Sequence, residues 1–121
     1  MSWKGIKMKI PTSVRINGVD YKIDYVNGLN DGTRMAYGIA DYANSQISLN
    51  PEVQEHQHMC ITLWHEILHI ILDNAQIETE DDEYLIQTLA TGIYQIISDN
   101  IGKFYDLVSE IPITNDWYAI Y

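Results

Sequence analysis

The run Ile61-Thr62-Leu63-Trp64-His65-Glu66-Ile67-Leu68-His69-Ile70-Ile71-Leu72 constrains this chain more than any other stretch. Laid on a helix it is apolar nearly all round, so the helix has to be buried. Yet it carries two histidines and a glutamate in the order His-Glu-x-x-His. Burying three such groups costs free energy unless each finds a partner. At about 100° per residue, His65 and His69 share one face about one turn apart. Two imidazoles so placed can hold one tetrahedral Zn²⁺ from the same side. Glu66, beside the first imidazole, reaches a water at the ion and can take its proton. The competing reading is a pair of histidines satisfied within the core. Asn50 is a suitable N-cap, Pro51 suits the first helical position, and no Pro or Gly interrupts Glu52 to Asn74. The pattern predicts one long helix from there to Asp73-Asn74-Ala75.

Two β-hairpins are expected before it. Val14 to Ile16 and Val19 to Val26 alternate apolar with polar around Asn17-Gly18, a pair that supplies both positive-φ residues of a tight turn. Asn27 to Arg34 reads as a loop. Met35 to Tyr42 and Gln46 to Leu49 form a second pair of strands around Asn44-Ser45. After the long helix, Thr79 with Asp82 looks like a capping box, with acids crowding the first turn. Leu85, Ile86, Leu89, Ile93, Ile96, Ile97 and Ile101 then recur at helical spacing up to Gly102. Trp117 to Tyr121 is a possible further strand. The whole is expected to be one α+β domain over residues 1–121, with 1–8 a flexible N-terminal extension.

With 121 residues the chain is large enough for a single core. A net charge of −10 and only seven Lys and Arg argue against nucleic-acid binding through phosphates. Cys60 is the only cysteine, so no intramolecular disulfide forms and a reducing compartment fits best. Nothing approaches the about 18 consecutive apolar residues of a membrane span, and the start lacks a signal-peptide pattern. A cytoplasmic protein without membrane partners is expected.

Two histidines need a third protein ligand to make a catalytic metal site. Positions 72 and 75 are Leu72 and Ala75, which excludes the HExxHxxGxxH continuation. His58 shares the face of His65 but sits about 10 Å along the axis, too far for the same ion; it reads as solvent-facing or cleft-lining, and His56 as a surface residue. Glu83 stands out. His69 lies about one turn before the end of the first helix and Glu83 about one turn into the second. In an antiparallel pair those levels face each other at about 8–10 Å between axes. Glu80 and Asp82 are the alternatives, with no third protein ligand as another.

With His65, His69 and Glu83, the layout resembles the gluzincin branch of the zincins. More narrowly it resembles the small zincin-like metallopeptidases related to the ImmA/IrrE group, many from phages and prophages. The resemblance rests on HExxH at 65–69, a strand at Gln46 to Leu49 leading into that helix, and Glu83 followed by Leu89-Ala90-x-Gly92-Ile93-Tyr94-Gln95. It implies a minimal zincin-like domain: a small antiparallel or mixed sheet packed on the HExxH helix and a second, antiparallel helix. It also implies the host-cell cytoplasm as location if the chain is phage-encoded.

The expected function is zinc-dependent hydrolysis of a peptide bond, with Glu66 as general base and a peptide or protein as substrate. The substrate would lie extended along an edge strand, Met35 to Tyr42 or Gln46 to Leu49. None of the nine tyrosines is selected by spacing as an oxyanion donor. The rival is a zinc-stabilised protein-binding module without catalysis, serving as an inhibitor of a host factor or as a virion or assembly component.

Overall fold

A computed structural model describes residues 9–103, and the expectations for residues 1–8 and for a strand at Trp117 to Tyr121 lie outside them. The fold is α+β. In chain order it comprises β1 (Ser13–Ile16), β2 (Val19–Tyr25), β3 (Gly38–Asp41), β4 (Gln46–Leu49), α1 (His56–Asn74) and α2 (Glu83–Asp99). The four strands make one mixed sheet in the order β1-β2-β4-β3. β1 and β2 pair antiparallel across Asn17-Gly18, where φ is +51° and +84°. That positive-φ pair is the two-residue turn the Asn-Gly dipeptide predicts. β3 and β4 also pair antiparallel, whereas β2 and β4 run parallel, Ile23 beside Ile47 and Tyr25 beside Leu49.

This order decides which strand has an open edge. β4, one of the two expected substrate edges, lies inside the sheet, and β3 is left at the border beside the HExxH helix. Alternation places Tyr21, Ile23, Ile47 and Leu49 on one face, and α1 covers that face with Leu63, Ile67 and Ile70. α2 packs on α1, burying Ile86 and Ala90.

Four expected boundaries move. The long helix starts at His56, with Glu55 as N-cap, rather than at Pro51. Asn50 is fully buried and serves the turn instead: its side chain accepts from the Glu52 N–H at 3.1 Å and donates to the Ala36 carbonyl at 3.1 Å. The second helix begins at Glu83 and not at Thr79, because the Thr79 hydroxyl is engaged by His69 and its carbonyl closes a turn to the Asp82 N–H. It ends at Asp99, before Gly102, where Asn100 donates its side-chain amide to the Ile96 carbonyl. Met35 to Tyr37 precede the strand proper. Met35 bridges to Asn30, and the Tyr37 carbonyl accepts from the Asn50 N–H.

Candidate metal centre

α1 carries His65 and His69 on one face, and the first residue of α2 brings Glu83 to them. His65 Nε2 lies 2.9 Å from one Glu83 oxygen, His69 Nε2 2.9 Å from the other, and the two Nε2 atoms are 3.1 Å apart. Among the described residues this is the group of three whose donor atoms can surround one ion. Glu80 and Asp82, the other acids considered, fall outside it. The contacts also give the sense of the helix pair: His69 meets Thr79 and Glu83, while His65, a turn earlier on α1, meets Glu83 and Gln87, later on α2. The helices therefore run antiparallel, as expected.

The chemistry of the donor set fits a cation. His65 Nδ1 donates to Gln87 Oε1 at 2.8 Å, since that oxygen can only accept. His69 Nδ1 reaches the Thr79 hydroxyl at 2.8 Å. When that hydroxyl accepts from His69 Nδ1–H as Gln87 does from His65, both Nε2 lone pairs point at a shared centre that also holds a carboxylate. Acceptors crowded to about 3 Å repel unless something positive sits between them. Bonds of about 2.0–2.1 Å in a tetrahedral site put ligand atoms roughly 3.3 Å apart, so a few tenths of an ångström of opening suffices. Burial lowers the His69 pKa, with Glu83 pulling the other way, and the neutral ring that results is the form that binds metals.

Glu66 lies outside the ligand set. It is 8% exposed and faces the same cleft, with the Ala40 backbone of β3 near enough to favour its charged form. Burial pushes its carboxyl up to about 7; His65 and the Ala40 N–H oppose the rise and the Glu83 charge adds to it. A metal ion at the centre would pull it down again.

The edge strand comes this close because of Gly38. A Cβ there would lie 2.6 Å from Thr62 Cγ2 and 3.3 Å from Glu66 Cγ, so any larger residue pushes β3 off α1. Between strand and helix runs a cleft of about 690 Å³. His58 lines it, as one of the two sequence readings had it, with Nδ1 donating to Gln54 Oε1 at 2.7 Å and its ring 5.0 Å from that of Tyr37. His56 is exposed. Among the described residues, two tyrosines line the cleft, Tyr37 and Tyr42. Partial burial, with Asp73 and Glu66 nearby, raises the Tyr42 pKa and keeps the phenol a donor.

Compared with protein-family models, with curated proteins and with solved structures, the chain matches none.

Sequence reasoning missed the supporting groups: Thr79, Gln87, Gly38 and the Ala40 N–H. Gln87 was within reach, since it follows Glu83 by four residues and so shares its helix face. The Ala40 N–H had no signal, because it depends on which strand ends at the border of the sheet.

Proposed function

We propose that this protein is a zinc-dependent metallopeptidase of the zincin type, related in layout to the ImmA/IrrE group, acting on a peptide or protein in the cytoplasm. The observation that carries the reading is a buried carboxyl group, Glu66, set beside a centre of two histidines and a glutamate without belonging to it. A purely structural metal site has no use for such a group. His65, His69 and Glu83 would hold the ion, leaving the side toward the cleft open. Zn²⁺ bound there supplies Lewis-acid activation of a water and of the scissile carbonyl.

The chain's own residues account for the rest. β3 offers an extended substrate an unpaired edge beside the helix. Glu66 takes the proton of the attacking water and returns it to the departing amide nitrogen. The Ala40 backbone beside it favours the charged carboxylate. Tyr42 donates its phenol proton toward the oxygen that gathers charge in the tetrahedral intermediate. The single cysteine suits a reducing compartment.

The test is Glu66→Gln. The variant should keep one equivalent of zinc and the parent fold, while cleavage of a mixed peptide pool falls by a factor on the order of 10²–10⁴. Cleavage at the parent rate would remove Glu66 from the mechanism. If Glu66→Gln kept its full effect in cells while His65→Ala lost it, the ion would be structural and the protein a binding module.

A further inference from the structure

Among the described residues, the cleft is lined by three acids, Asp31, Glu66 and Glu83, but by one Lys or Arg, Arg34. In a chain with 17 acids and seven Lys and Arg, a cation has no shortage of partners. Arg15, the other arginine, is paired with Asp20 at 3.0 Å. The Arg34 guanidinium makes no ion pair or hydrogen bond among the described residues.

Its backbone, by contrast, is held firmly. The Arg34 N–H donates to Asp31 Oδ1 at 2.9 Å, and the Arg34 carbonyl accepts from the Asp31 N–H at 3.0 Å. Asp31 Oδ1 also accepts from the Thr33 N–H and hydroxyl, each at 2.8 Å. These bonds, led by the Thr33 N–H, draw the Asp31 carboxyl down to about 2. Asp31 Oδ1 is thus taken by the loop, and the nearby Arg34 charge lowers that carboxyl a little further without forming an ion pair. The Asn30–Met35 bridge and the Ala36 N–H bond to the Leu29 carbonyl at 3.0 Å close the loop at its base, and Asn50, just after β4, donates to the Ala36 carbonyl at 3.1 Å. The loop thus fixes where the Arg34 side chain starts, and its guanidinium is left to meet a charge arriving in the cleft.

Its place along the cleft follows from β3. The Asn50 N–H bonds the Tyr37 carbonyl, so by alternation Tyr37, Ile39 and Asp41 turn their backbone groups to β4, and Gly38 and Ala40 turn theirs to the open edge. Glu66, the proposed general base, faces the cleft beside Ala40, which puts the reacting bond near Ala40. Arg34 lies beyond the Gly38 end. A segment added antiparallel, the more stable pairing, carries the residues after the scissile bond toward that end.

We propose that Arg34 recognises a carboxylate on the bound polypeptide, so that the substrate class is a segment with an acidic group on the C-terminal side of the cleaved bond. The inference rests on the cleft being the peptide site of the hydrolase proposed above. The carboxylate is an Asp or Glu side chain or the free end of the chain, and the two are separated experimentally.

The zinc-loaded full chain carrying Glu66→Gln is immobilised so that peptides are retained rather than cut. The probes are equimolar synthetic decapeptide libraries with Glu or Gln fixed at successive positions, prepared with amidated and with free C-termini. Amidated peptides with Glu in their C-terminal half should be retained about three- to tenfold over their Gln counterparts, and rising salt should shrink the difference. A preference seen only with free C-termini would assign the carboxylate to the chain end. Arg34→Gln should abolish the selection and Arg34→Glu should turn it toward Lys, with zinc content and thermal unfolding unchanged. Equal retention of acidic and neutral peptides, selection that survives Arg34→Gln, selection confined to the N-terminal half, or no retention at all would each overturn the proposal. Cleavage by the Glu66-intact protein without charge preference would leave the hydrolase reading standing and remove only this one. Acid-selective retention with no cleavage would overturn the hydrolase reading and, with it, the placement relative to a cleaved bond, leaving only carboxylate binding at Arg34.

Discussion

His65 and His69 each spend one nitrogen on orientation and keep the other for the shared centre. Gln87 accepts from the Nδ1 of His65 and Thr79 meets that of His69, both at 2.8 Å. Such partners fix ring angle and tautomer and raise the basicity of the opposite nitrogen. Their loss should be felt in metal affinity before it is felt in the fold, since Gln87 is exposed and Thr79 half-buried. Gln87→Leu and Thr79→Val should each weaken zinc binding by about 10- to 100-fold, read by competition against a chromogenic chelator. Unchanged affinity in both variants would mean that helix packing alone orients the rings. The ligands themselves were legible in the sequence, because a four-residue spacing has only one reading on a helix. The supporting groups were less so. Asn50 and Thr79 both look like helix caps by type and position, and both spend their side chains elsewhere, on a turn and on His69. Short polar side chains bond whichever group the tertiary structure brings nearest.

At the level of elements, the site depends on how near β3 comes to α1. Gly38 sets that distance, and Thr62 meets it from the helix. Gly38→Ala places a methyl group 2.6 Å from Thr62 Cγ2, an overpacking that should cost about 1–3 kcal/mol. It should also move the Ala40 N–H relative to Glu66, so that cleavage falls further than zinc affinity. Thr62→Ser removes the clashing methyl and keeps the hydroxyl that donates to Gln54 Oε1 at 2.7 Å. In combination with Gly38→Ala it should therefore restore part of the lost stability, a coupling that a double-mutant cycle measures by urea unfolding. Additive effects would place the strain elsewhere, at Glu66 Cγ or the Ser48 carbonyl, both 3.3 Å from the added carbon. The two hairpins were readable from their turns, since Asn17-Gly18 and Asn44-Ser45 act locally. The parallel pairing of β2 with β4 was not. It joins strands with β3 between them in the chain, and no short-range pattern records it. Without that pairing, nothing in the sequence says that β3, rather than β4, has the open edge.

For the whole molecule, the centre is also a fastener between helices. Of the residues of α2 only Ile86 and Ala90 are buried, and α2 rests chiefly on α1. An ion shared by His65, His69 and Glu83 would tie the start of α2 to the middle of α1, adding binding free energy to a thin apolar contact. Free zinc at about 100 times its dissociation constant contributes about 2.7 kcal/mol. For a domain of this size that corresponds to a shift in Tm on the order of 10 °C. Chelation should therefore lower Tm by about that much in the parent, and His65→Ala should already sit at the lower value and ignore the chelator. Hydrogen exchange should locate the loss. The amides of α2 should lose protection first, while β2 and β4, paired to each other and covered by α1, keep theirs. If chelation left Tm and α2 protection unchanged in a parent shown to have released its metal, the ion would not hold the helices together. Ile86 and Ala90 would then be sufficient to seat α2, and the three ligands would be arranged for chemistry alone.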